Sequence, residues 1–221
     1  MIRPRTGDFK YTDEEIDVMI EDIKVCKEYG VRGVVFGLLT RDGRVDVEKA
    51  KRIVDEALPL EICFHRAFDM TSDPLEALRD IMDIGGFSRI LTSGQARSVP
   101  EALITLEALY TTVYQLVDGE PWTLTILPGS GINPETIRPI LDALLPCGLQ
   151  EIHLSGGAWE DGGMKYRPEG MGMGVGGQGE WGIWKTDENK IRRVRAIADE
   201  IYEELSAGPA SPQDAGRSIL G

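Results

Sequence analysis

Cysteine is scarce, with Cys26, Cys63 and Cys147 as its only occurrences, and their odd number and wide spacing exclude a zinc ribbon or a disulfide framework. The thiols are expected to be reduced, and any metal role has to draw on scattered ligands. No apolar run approaches the roughly 20 residues that cross a bilayer, so no membrane span is expected. Residues 1–10 are polar and basic, unlike a secretory signal, which makes the cytoplasm the expected compartment. Basic residues are also in deficit: 24 Lys and Arg against 37 Asp and Glu leave a net charge of −13. Such a chain repels phosphate backbones, which excludes nucleic acid as a general partner and favours cations or neutral metabolites.

What the sequence does contain is enough for one sizeable core: 42% of its 221 residues are apolar, consistent with one domain over residues 1–206. Short apolar runs at 31–35, 60–64, 89–91, 124–127 and 151–154 are each followed by glycine or polar residues and then by helical periodicity, the mark of a βαβα chain. Thr12 and Glu15 form a capping box ahead of Ile16, Met19, Ile20 and Ile23, and Gly30 follows the helix end. Asp73-Pro74 opens a helix with the stripe Leu75, Leu78 and Met82, and Asn133-Pro134 opens another with Ile137, Ile140, Leu141 and Leu144 inward. A last helix over about 186–205 carries Ile191, Val194, Ile197 and Ile201. With residues 1–5 as the tail of a strand, six strands are expected. Units of about 25 to 35 residues fit either a parallel barrel or an open doubly wound sheet. Residues 156–182 are Gly-rich and Met-dotted and read as an insertion. Residues 207–221 read as a disordered tail.

Several motifs, in order, carry a family resemblance. Ile2-Arg3-Pro4-Arg5 with Gly7-Asp8-Phe9, Val34-Val35-Phe36-Gly37 and Phe64-His65-Arg66-Ala67-Phe68-Asp69-Met70 resemble the CutC family. Ile90-Leu91-Thr92-Ser93-Gly94, Pro128-Gly129-Ser130-Gly131 and Glu151-Ile152-His153 continue the likeness to about Leu154. The resemblance implies a TIM-type (β/α) barrel, association into homo-oligomers and a part in copper homeostasis. It also places Ile2-Arg3-Pro4-Arg5 at the end of the family's third strand. The fold expected here is therefore a barrel shortened at its N-terminal side to about six strands, without the family's early cysteine-containing strand ends.

The candidate site residues gather at strand ends, where parallel α/β folds assemble their pockets. Both histidines, His65 and His153, fall there. Strand alternation puts Cys63 on the face of His65, about 6 to 7 Å away at ~3.3 Å per residue, and likewise pairs Glu151 with His153 and Arg3 with Arg5. Imidazoles near neutrality can move protons and arginines can anchor anions, which makes His65, His153, Glu151 and Asp69 catalytic candidates. Arg3, Arg5 and Arg66 are anion-binding candidates, joined by the turns Thr92-Ser93-Gly94 and Gly129-Ser130-Gly131, whose backbone N–H groups can hold a phosphate or carboxylate. A purely structural role, such as an Arg66–Asp69 brace or a tight glycine turn, fits the same residues. For Cu(I), a soft ion, the candidate donors are Cys63, Met171 and Met173, with Met164 nearby; a small buried hydrophobe is the alternative for Cys63. Three functions are open at this point: copper homeostasis through Cu(I) binding, a barrel lyase, isomerase or hydrolase acting on a small anion, and a non-catalytic oligomer partner.

Overall fold

A computed structural model describes residues 1–117 and 124–206. Residues 118–123 and the expected tail at 207–221 lie outside the described residues. Two compact units are distinguished, residues 1–132 with 142–154, and residues 133–141 with 155 onward.

The first unit alternates helix and strand. Its elements are α1 (Asp13–Glu28), β1 (Gly33–Phe36), α2 (Val47–Ala57), β2 (Glu61–Phe64), α3 (Pro74–Ile84), β3 (Phe87–Thr92), α4 (Leu103–Val117) and β4 (Thr125–Pro128). The four strands form one parallel sheet in the order β1-β2-β3-β4, as short buried runs separated by helices require. Along the strands Val34, Phe36, Ile62, Phe64, Ile90 and Ile126 are buried. Phe87 packs on Phe36 and Phe64, with ring centroids 5.4 and 5.7 Å apart. The intervening positions Val35, Cys63, Arg89 and Leu127 are only half-buried.

The helices start where side-chain acceptors meet free backbone donors. At α1 Thr12 Oγ1 accepts the Glu15 N–H while Glu15 Oε2 accepts the Thr12 N–H, the expected capping box. At α3 Asp73 accepts from Leu75 and Glu76, and Pro74 occupies the first turn. The buried residues of α3 are Ala77, Leu78 and Ile81; the expected stripe of Leu75, Leu78 and Met82 is thus rotated by part of a turn.

Two of the six expected strands are reduced to single contacts. The segment at the N-terminus contributes one bond, Ile2 N–H to Val35 O at 2.8 Å, and Glu151–Leu154 contributes His153 N–H to Pro128 O at 2.9 Å, with a lone bridge from Gly129 to His153. The helix α5 (Ile137–Leu144) follows β4.

The second unit contains a hairpin the sequence reading does not anticipate. Strands β5 (Gly157–Glu160) and β6 (Ile183–Thr186) pair antiparallel around the Gly-rich segment. Trp159 stands opposite Trp184 with ring centroids 5.3 Å apart in an edge-to-face arrangement, and Lys185 pairs with Glu160. Helix α6 (Glu188–Ser206) follows, with Val194 and Ile201 buried.

Candidate functional site

The strand ends of the first unit carry most of the candidate residues. His65 extends the β2 ladder by donating its N–H to Phe36 O at 2.9 Å. Its imidazole then caps the 3-10 turn Arg66–Met70, Nδ1 accepting the Ala67 N–H at 3.2 Å. That bond places the ring proton on Nε2, which is buried without a partner. The ring has room because residue 37 is glycine: a Cβ there would lie 2.6 Å from His65 Nδ1. Phe9 covers the imidazole at a centroid distance of 5.0 Å, and the Arg3 guanidinium carbon sits 4.8 Å from the Phe9 centroid. His65 is only 4% exposed. Burial lowers its pKa to about 4, with the Arg3 charge adding to the effect, so the ring is neutral at pH 7.

The turn after β3 holds an anion, and the anion is the chain's own. The Asp69 carboxylate accepts from Thr92 Oγ1 at 2.5 Å, from the Ser93 N–H at 3.0 Å and from the Gln95 N–H at 3.2 Å. Arg66 Nε donates to it at 2.7 Å, and Arg66 Nη2 reaches Ser93 Oγ at 2.9 Å. Gly94 and Gln95 both have positive φ, 77° and 63°, which turns the backbone N–H groups toward one point. The structure thus brings Arg66, Asp69, Thr92, Ser93 and Gly94 into one braced cluster.

The arginines at the front of the chain differ in their engagement. Arg5 is fully engaged, with Glu15 Oε1 at 2.5 Å, Asp8 Oδ1 at 2.9 Å and Lys10 O at 2.7 Å around its guanidinium. Arg3 donates to Gly7 O at 2.9 Å and has no carboxylate partner among the described residues. Tyr11, 2% exposed, places its buried hydroxyl in the field of both arginines, where the Arg3 guanidinium interacts with it but no hydrogen bond of good geometry forms. Burial raises the Tyr11 pKa, and the two guanidinium charges pull against that rise.

The half-buried side of the sheet forms a concavity of about 360 Å³ whose lining includes Val35, Cys63, Leu91, Leu127 and His153. At one end Arg89 forks between two carboxylates, Glu151 at 2.6 and 2.9 Å and Glu61 at 2.7 Å. The bond to Arg89 holds Glu151 below the usual carboxylate range. Burial pushes the Cys63 thiol up to about 11, so it is protonated at neutral pH. His153 is exposed and lies beside Gly129, where a Cβ would come 2.7 Å from Leu91 Cδ1 and 3.2 Å from His153 Cβ. Gly131, at φ 73°, faces Ser98, whose Cβ would be 2.6 Å from an added Cβ. Close packing and backbone conformation therefore account for both glycines.

His65 does not line this concavity, so the two histidines stand in different surroundings. Met171 and Met173 belong to the second unit and are exposed. No group of three or more His, Cys, Asp or Glu is arranged to hold a metal ion among the described residues. Phe9, Tyr11, Arg89 and Gln95 are the participants that sequence reasoning misses. A charged Arg89 inside an apolar strand was the available signal for one of them.

Comparison with known proteins agrees with the motifs. The CutC family model matches residues 1–158. The copper homeostasis protein cutC homolog of Mus musculus is 40% identical over 202 residues, covering 91% of this chain and 70% of that protein. A CutC family protein of Chromobacterium violaceum is 39% identical over 200 residues, covering 90% of this chain and 76% of the relative. The crystal structure of CutC from Streptococcus agalactiae superposes with a TM-score of 0.60 at 28% identity, covering 69% of this chain and 70% of that one. With its ordered motifs, its parallel sheet and these matches, the chain belongs to the CutC family.

Proposed function

We propose that this protein takes part in copper homeostasis and does so by binding Cu(I), with Cys63 as the thiolate donor. The observation that carries the reading is the position of Cys63 on the wall of the concavity that His153 also lines, a half-buried thiol beside the sheet's open side. Thiolate and imidazole suit Cu(I) among biological metals. The names of the mouse and human relatives support the biological role. Binding at Cys63 exchanges one proton for one metal ion, because the thiol is held in its protonated form up to about pH 11. Met171 and Met173 offer thioethers on a separate unit and form the second donor set to be tested.

The same reading takes the four-stranded sheet as part of a TIM-type barrel in a cytoplasmic protein that associates with its own copies. In support of self-association, α4 carries one charged residue, Glu107, and leaves Ile104 and Leu116 exposed. Light scattering reads the copy number.

The test of copper binding is a competition titration of the reduced, purified protein against a Cu(I) chelator of known affinity. Stoichiometric binding is expected, weakened at least tenfold in Cys63→Ser. It is expected to tighten by up to about tenfold per pH unit below the thiol pKa once the chelator's own pH dependence is removed. A Met171/Met173 double substitution run in parallel shows whether the thioethers contribute. Folded protein that takes up no Cu(I) overturns the reading.

A further inference from the structure

Among the described residues, two buried side-chain polar atoms make no hydrogen bond of good geometry, Tyr11 Oη and His65 Nε2, and of these the Tyr11 hydroxyl interacts with the Arg3 guanidinium. Both feel the charge of the same guanidinium, that of Arg3. A buried donor gives up its bond to water and is rarely left unpaired, so two of them in the field of one cation call for an explanation. All three groups are donors. His65 Nδ1 already accepts the Ala67 N–H, which leaves Nε2 with the proton. The Tyr11 hydroxyl has a proton to give. Arg3 has donors beyond the one that reaches Gly7 O, and no carboxylate among the described residues pairs with it. The neighbouring Arg5, held by Glu15 and Asp8, shows what a structural arginine in this loop looks like.

We propose that Arg3, Tyr11 and His65 form a subsite for an oxyanion group, a carboxylate or a phosphate carried by a small molecule, with the Phe9 ring as its cover. The missing partner of donors that share the field of one guanidinium is an acceptor-rich group, and the guanidinium adds the matching charge. Phe9 neighbours both Arg3 and His65. Its backbone is held by the Leu39 N–H to Phe9 O bond at 2.8 Å, so turning the ring about Cα–Cβ opens the subsite while the loop stays in place. Gly37 keeps the imidazole seated beneath it. The subsite shares no residue with the proposed copper donors, and either proposal can fail without the other.

Two histidines make the imidazole spectrum simple to read. Nitrogen-15 imidazole NMR at pH 7, with signals assigned through His153→Gln, is followed while inorganic phosphate or acetate is added at ionic strength fixed with chloride. A saturable shift of the His65 signal is expected with at least one anion, weakened tenfold or more in Arg3→Gln and in Tyr11→Phe and strengthened in Phe9→Ala. Tyr11→Phe, which keeps the ring, carries the comparison if Arg3→Gln loses its native spectrum. A response to phosphate alone assigns a dianion site; a response to both assigns a general oxyanion site. The proposal is overturned if neither anion moves the His65 signal saturably in the wild type and Phe9→Ala, or if the response persists unchanged in Tyr11→Phe.

Discussion

Two clusters of donors stand in the first unit, one filled from within the chain and the other without a carboxylate among the described residues. Around Asp69, the Thr92 hydroxyl, the Ser93 and Gln95 N–H groups and the Arg66 guanidinium all find the same carboxylate. Around Arg3, the Tyr11 hydroxyl and His65 Nε2 find none. A satisfied cluster holds a loop in shape, whereas an unsatisfied one is where a partner from outside is to be sought. Residue type alone therefore does not separate framework from site; the presence of an internal counter-charge does.

The comparison can be broken most forcefully at its filled end. Asp69→Ala removes the acceptor of the buried Thr92 hydroxyl and Ser93 N–H, while the half-exposed Arg66 guanidinium keeps its water, and is expected to lower unfolding free energy by about 2–4 kcal/mol, read from urea denaturation. Next in size is the pH dependence of the unfilled cluster. His65 has a folded pKa of about 4, depressed from 6.5, so the unfolded chain binds the proton more readily. The stability this contributes is fully present above pH 6.5 and is lost as pH falls toward 4, at up to about 1.4 kcal/mol per pH unit and about 3 kcal/mol in all. Denaturation midpoints between pH 6.5 and 5, above the range of most carboxylates, should show this slope in the wild type and lose it in His65→Gln. The smallest effect is expected for Tyr11→Phe. Removing an unpaired buried hydroxyl should change stability by no more than about 1 kcal/mol in either direction, and a loss above 2 kcal/mol would mean that the hydroxyl has a partner in the folded protein.

Much of the framework was legible because it rests on local rules. The Thr12 and Glu15 capping box, the Asp73-Pro74 start and the four sheet strands follow from side-chain acceptors and short apolar runs. Residues 1–5, read as a strand tail, and the apolar run 151–154 are expected to extend the sheet, yet one hydrogen bond apiece ties Ile2 and His153 to it. A strand's extent depends on its neighbour, which periodicity does not report. The hairpin of β5 and β6 escaped because its pairing joins Trp159 to Trp184 across a glycine-rich segment, a contact with no local signature. At the candidate site the sequence points to Arg3, His65, Cys63 and the Arg66–Asp69 brace, but not to Phe9, Tyr11, Arg89 or Gln95. That Asp69 fills the turn after β3, or that Phe9 lies over His65, depends on which loops meet in space.

The burial of Cys63 has a chemical consequence beyond packing. A thiol that holds its proton to about pH 11 exposes almost no thiolate at neutrality, and thiolate is the form that attacks disulfides and peroxides. Cys63 is thereby slow to oxidise while its sulfur still borders an open concavity. Its latency is kinetic: the sulfur is guarded against oxidants that need a ready nucleophile, yet open to any soft cation able to displace the proton as it binds.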